Sequence, residues 1–213
     1  MVHFKSGIFK DANGTYKNMI IYQMRGETYG RKKTSYDGNA GSPTREVQNS
    51  RMTSVVTLFQ SIKHTFLVNS WRSDALRNKI SSGYNYFVKK NIKAFGDNYN
   101  VGDFTQLTLC VGTLQIPFGM KQQPSPAGTC SLTWEAAPWM LQRRGKDQLI
   151  AAVIYEDEPF RVEIITNTGA TRQDGEATFS VDRSDVRNVH VYCFFANEDR
   201  DLFSESVYFN FHF

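Results

Sequence analysis

Nothing in this chain reads as a membrane-spanning helix, because no run of about 18 apolar residues occurs. The opening residues Met1-Val2-His3-Phe4-Lys5-Ser6-Gly7 lack the apolar centre of an export signal, which argues against general secretion. Cysteine is scarce. Cys110, Cys130 and Cys193 are odd in number, far apart and without CxxC spacing, so buried reduced thiols are expected rather than a disulfide or metal site. The histidines His3, His64, His190 and His212 form no HxxxH or HExxH pair, and no metal centre is expected. Also missing are a P-loop, a GxGxxG turn and a GxSxG elbow. A triad assembled in space leaves no such trace, yet no cysteine stands in a nucleophile context. The acidic run Glu156-Asp157-Glu158 lacks calcium-loop spacing, precedes Pro159, and reads as a solvated hairpin turn. These absences predict no catalytic residue, no cofactor and no metal, and leave a binding or assembly protein.

What is present begins with helical periodicity in one long stretch, residues 43–95. Pro43 suits a first helical position and Ser42 can cap it. Met52, Val55, Val56, Phe59, Ile62 and Phe66 then fall on one helical face. Asn69 and Ser70 predict a break. Leu76, Ile80, Tyr84, Phe87, Val88 and Ile92 make a second face that stops near Gly96, with Gly83 a weak point inside it. Neither helix can hide its stripe alone, so a helical hairpin packed on itself or on a sheet is expected.

On both sides of this stretch the periodicity is that of strands. Residues 2–9 alternate weakly, and Asp11-Ala12-Asn13-Gly14 carries a tight-turn signal. Residues 16–24 and 28–33 read as strands around a turn or bulge at Gly26, followed by a turn-rich link from Tyr36 to Gly41. Residues 104–114 look like a strand through Leu107, Leu109 and Val111. Pro117, Pro124 and Pro126 suggest a domain boundary. Residues 1–116 are therefore expected to be a basic β-hairpin arm with a two-helix domain, and residues 117–213 a β domain. Short runs at 129–135, 149–155, 160–166, 177–181, 189–195 and 206–213 predict an all-β immunoglobulin-like sandwich with Trp134 in its core. No cysteine pair with immunoglobulin spacing is apparent, so the likeness is one of architecture. The expected fold class is α+β.

Charge is unevenly distributed. Residues 1–105 hold 16 Lys/Arg and 7 Asp/Glu, whereas residues 106–213 hold 9 and 14. A basic half can face a polyanion or the acidic half of a neighbouring copy. The candidate contact residues are Arg25, Arg31, Lys32 and Lys33, interleaved with Tyr22, Tyr29 and Tyr36. Basic side chains neutralise phosphates and aromatic rings stack on bases. The same residue types also suit a protein interface or a sheet edge defended by charge.

Several motifs carry a family resemblance. They are Gly7, Gly14 and Tyr16 leading into Arg31-Lys32-Lys33, and Pro43-Thr44 with Gln48 and Arg51 opening a helix that runs to Phe59. Towards the C-terminus they are Gly169-Ala170-Thr171-Arg172 with Asp174-Gly175, Val189-His190-Val191-Tyr192, and Ser206-Val207-Tyr208. As a set they resemble an uncharacterised family of small Bacteroidetes proteins, itself similar to structural proteins of tailed phages. The opening hairpin and Cys193-Phe194-Phe195 depart from that pattern. The resemblance implies a non-enzymatic virion component made in the bacterial cytoplasm, building a neck, connector or tail ring from copies of itself and other virion proteins. Two alternatives remain beside it. One is a cytoplasmic nucleic acid-binding protein that grips DNA through the basic tyrosine-rich hairpin. The other is a sandwich module holding a glycan through Trp134 or Trp139. No membrane partner is expected.

Overall fold

The computed structural model describes residues 2–4, 13–34, 43–136, 144–183, 185 and 187–213. It divides into two units, Met1–Ser42 and Pro43–Phe213. In the first, β1 (Val2–Phe4), β2 (Gly14–Tyr16), β3 (Met19–Met24) and β4 (Glu27–Lys32) form an antiparallel sheet in the order β1-β4-β3-β2. The expected hairpin is thus the centre of a four-stranded sheet. Its turn is Arg25-Gly26, with φ of 57° and 78°. Two consecutive left-handed residues give a turn whose twist matches the flanking strands. Tyr16 belongs to β2 and not to the strand that follows, because Tyr16 pairs with Met19 across the Lys17-Asn18 turn. Asp11, Ala12 and the link at 36–41 lie outside the described residues, as does Ser42.

The second unit is layered. Three helices, α1 (Pro43–Ile62), α2 (Leu67–Arg77) and α3 (Gly83–Asn91), cover one face of a four-stranded sheet. That sheet contains β7 (Gln148–Tyr155), β8 (Glu163–Ile165), β10 (Asn188–Ala196) and β11 (Val207–His212), in the order β11-β10-β7-β8. Its other face packs on a three-stranded sheet of β5 (Lys121–Gln123), β6 (Thr129–Thr133) and β9 (Glu176–Ser180), in the order β5-β6-β9. Seven strands crossing between two antiparallel sheets in this way make an immunoglobulin-like sandwich, and the fold class is α+β. Trp134 lies in the sandwich core, 6% exposed. Cys130 and Cys193 also share that core, on the second and sixth strands of the sandwich. Immunoglobulin domains carry their bridge on those strands, so the cysteine placement is closer to that pattern than the spacing suggested. Both are free thiols here.

The helical region departs from the expected hairpin. The break falls at residues 63–66, while Ser70 sits inside α2 and donates to the Leu67 carbonyl. The second expected helix is two. Lys79 adopts a left-handed φ of 55°, and Ser82 caps α3 by accepting from the Asn85 N–H at 3.1 Å. Gly83 is the first residue of α3, where a Cβ would meet the Arg72 backbone nitrogen at 2.9 Å. It permits close packing of α3 on α2 and is not a weak point within one helix.

The boundary expected near residue 117 falls inside this unit. Ile150, Ala152 and Ile154 of β7 and Tyr192, Phe194 and Ala196 of β10 share a core with Val55, Leu58, Trp71 and Phe87 of the helices. The intervening residues of the same two strands, Leu149, Ala151, Val153, Val191, Cys193 and Phe195, belong to the sandwich core. Strand alternation sends successive side chains to opposite faces, so each strand supplies two cores. Residues 107–114 are not the expected strand. They are a largely buried extended segment held by side chains and by isolated backbone bonds rather than by a strand ladder. Asn91 bonds both the Thr108 N–H (2.7 Å) and carbonyl (3.1 Å), and Trp71 Nε1 donates to the Leu109 carbonyl at 3.0 Å. Ser206 Oγ accepts from the Leu109 N–H at 3.1 Å.

Gly112 shows how closely this segment is held. Leu114 N–H donates to the Phe203 carbonyl at 2.9 Å. That brings the carbonyl oxygen to 2.0 Å from where a Cβ on Gly112 would stand. Gly112→Ala is therefore expected to cost about 2–3 kcal/mol through forced displacement. A thermal melt should show a midpoint lower by about 5–10 °C. An unchanged midpoint would contradict the close approach.

Candidate functional site

The first unit holds the residues that the sequence nominated. Register places Tyr22 opposite Tyr29 and Ile20 opposite Arg31. The tyrosine rings stack with centroids 5.9 Å apart and planes 23° apart. Tyr29 donates to Glu27 at 2.8 Å, and that bond holds its phenol above the usual range. Tyr22, Tyr29 and Arg31 share one face of the sheet, because residues two apart on a strand point the same way. Lys32 is opposite Met19 and points to the other face. Arg25 occupies the turn, and Lys33 follows β4 with its N–H donating to the Asn18 carbonyl at 2.6 Å. The nominated residues are thus spread over two faces and an end. Tyr36 lies outside the described residues.

The motifs that carry the resemblance near the C-terminus have a structural task. Thr171 N–H and Oγ1 both donate to Asp174, at 2.6 and 2.7 Å, and close a single 3-10 turn that ends at Gly175 with φ of 72°. Arg172 is 1% exposed. It lies 3.4 Å from the Asp147 carboxylate, donates to the Gln115 carbonyl at 2.7 Å and covers the Phe195 ring. Its own carbonyl accepts from Trp134 Nε1 at 2.9 Å. Burial lowers the guanidinium pKa and raises that of the Asp147 carboxyl, while each partner opposes the other's shift. A group this enclosed cannot meet a partner molecule. Trp134, equally enclosed, is no platform for a glycan, and Trp139 lies outside the described residues.

His190 is buried beneath Tyr208, sharing a 2.9 Å hydrogen bond through Nδ1, with its ring stacked on Phe104 at 3.6 Å. Burial pushes its pKa down to about 4, with Glu156 opposing and His212 adding to the shift. The cysteine thiols are all pushed up by burial, Cys130 to about 12, which leaves them weak nucleophiles. Among the described residues, no group of three or more His, Cys, Asp or Glu could hold a metal ion.

A cavity of about 470 Å³ opens on the helical layer. Phe59, Val68, Ala75, Ile80 and Tyr84 form its apolar wall, while Lys63, Arg72 and Leu76 line its mouth. Sequence reasoning missed it. The periodicity assigned Leu76 to a buried face, but the side chain is 78% exposed. The available signal was Lys63 and Arg72 beside an apolar stripe that outlasts the helix.

This is an α+β chain in which a helical layer and an immunoglobulin-like sandwich share a middle sheet. It belongs to the family described as "Family of unknown function (DUF6266)", which it matches over residues 11–210. Among curated proteins nothing matches it. No helix among the described residues is long and apolar enough to cross a membrane.

The neutral His190 gives a signed pH dependence. Its folded pKa lies below the unfolded value, so its contribution is complete above about pH 6.5 and is lost as pH falls towards 4. Between pH 7 and 4.5 this one group should remove about 2 kcal/mol of stability. Urea unfolding of the chain and of His190→Gln at both pH values checks this, with the variant showing the smaller loss.

Proposed function

We propose that this chain is a non-enzymatic assembly protein whose copies meet through surfaces of opposite charge. The observation that carries the reading is the charge division within the second unit. Residues 43–105, which include α1, α2 and α3, hold nine Lys/Arg and four Asp/Glu. Residues 106–213, which include the sandwich, hold nine and fourteen. The helical layer is thus at +5 and the sandwich region at −5, on chain segments stacked in one unit. The first unit, with seven Lys/Arg and three Asp/Glu, adds +4. Contacts between unlike surfaces repeat from copy to copy and close into a ring when the rotation permits. The narrower reading, a neck, connector or tail ring in a phage particle, is supported by the motif resemblance. Finding the chain missing from purified phage particles of the strain that encodes it would remove that narrower part.

Screening supplies the direct test. Light scattering should show concentration-dependent association at about 0.05 M salt that weakens at about 0.5 M, where the screening length is a few ångströms. A strict monomer at low salt and high concentration would contradict the proposal.

A second reading, nucleic acid contact through the first unit, is favoured by the stacked Tyr22–Tyr29 pair sharing a face with Arg31. It predicts that Arg31→Ala lowers the salt slope of DNA binding by about one, while Lys32→Ala on the opposite face leaves it unchanged. No binding of duplex or single-stranded DNA at low salt would end this reading.

A further inference from the structure

Strand β11 forms one edge of the middle sheet, with β10 on its inner side. Continuing their register by one residue sets Phe213 opposite Arg187, and the Phe213 N–H donates to the Arg187 carbonyl at 3.0 Å. Bonded and unbonded pairs alternate along an antiparallel ladder. The backbone groups of Val207, Phe209, Phe211 and Phe213 are therefore turned to β10, and those of Ser206, Tyr208, Asn210 and His212 point away from it. Ser206 is met by the 107–114 segment, its N–H donating to the Cys110 carbonyl at 3.0 Å. Among the described residues nothing bonds the backbone N–H or carbonyl of Tyr208, Asn210 or His212.

An open edge is a template for another strand, and proteins guard theirs with charge, proline or short length. The other edge of this sheet is guarded, because β8 is three residues long and carries Glu163. β11 runs for six residues, Val207-Tyr208-Phe209-Asn210-Phe211-His212, with no Lys, Arg, Asp, Glu or Pro among them.

We propose that β11 pairs antiparallel with β11 of a second copy, about a two-fold axis at Asn210, so that two four-stranded sheets become one of eight strands. Asn210 then faces Asn210 of the other copy, and Tyr208 faces His212 on either side. Each of these facing pairs exchanges two backbone bonds. The occupant is a second copy because the outward row reads the same in both directions from Asn210. One pairing satisfies both edges, and no charge on either strand opposes it. The contact is isologous and uses no opposite charges, so it stands apart from the head-to-tail contact and adds to it.

Salt separates the two contacts. In sedimentation equilibrium at high concentration and about 0.5 M salt, where the charge contacts are screened, the full chain should remain a dimer. His212→Pro removes an outward N–H from an exposed edge position, which the fold tolerates, and should weaken the dimer by about ten-fold or more. Asn210→Asp and Asn210→Lys each set like charges directly opposite one another and should each weaken it by about five-fold. An equal mixture of these two variants should form heterodimers more tightly than either variant pairs with itself. Circular dichroism should show an unchanged fold for all three. An unmodified chain that is monomeric at this salt concentration would overturn the β11 contact, while association confined to low salt would leave the charge-mediated reading standing. A dimer that none of the three variants weakens would overturn β11 as its seam. A mixture no tighter than its components would overturn the axis at Asn210.

Discussion

Strands β7 and β10 must each satisfy two cores at once, and the second unit depends on that constraint. A strand at the surface of a sandwich alternates apolar and polar side chains. These two are buried along nearly their whole length, because helices lie on one side and the second sheet on the other. A position facing either way cannot become polar without leaving an unpaired group in one core or the other. The cores therefore stand or fall together, although they are filled by different residues. The extended segment at 107–114 adds to the link. It lies under the helices through Asn91 and Trp71, and it is tied to the region just before β11 through Ser206.

Much of the sandwich was legible in the sequence. The apolar runs at 149–155 and 189–195 mark strands, and the continuous apolarity of 149–155 already indicates burial on both faces, whereas 189–195 alternates in part through His190. What the runs do not contain is the identity of the second covering layer, and the prolines at 117, 124 and 126, which suggest a boundary, lie in loops within one unit. β5 escaped notice because three polar residues between prolines carry no periodic signal. Residues 104–114 have the composition of a strand, but 104–106 close a 3-10 turn, and the backbone of 108 and 109 is held by side chains distant in sequence rather than by a ladder. The single helix expected over 70–95 failed for a local reason. Leu76, Ile80 and Tyr84 keep helical spacing across a break that is made by the backbone of Lys79 and the cap at Ser82.

The candidate site was legible as composition but not as arrangement. Alternation places Arg31 and Lys32 on opposite faces, so a run of adjacent cations is not a patch. The Gly169–Gly175 motif stands out in the sequence because an enclosed arginine, a capping pair and a left-handed glycine each demand a particular residue there. Its distinctiveness reflects folding. The charge division, by contrast, survives in three dimensions, because the basic segment builds one layer and the acidic segment the other.

Trp71 lies in the helical core and Trp134 in the sandwich core, so each core has its own reporter. Variants that retain only one of these tryptophans, with the remaining ones replaced by phenylalanine, can be unfolded in denaturant under fluorescence and far-ultraviolet circular dichroism. The shared middle sheet predicts that the two signals trace the same transition in both variants. Fluorescence of either tryptophan changing at a denaturant concentration where the dichroism has not moved would contradict it.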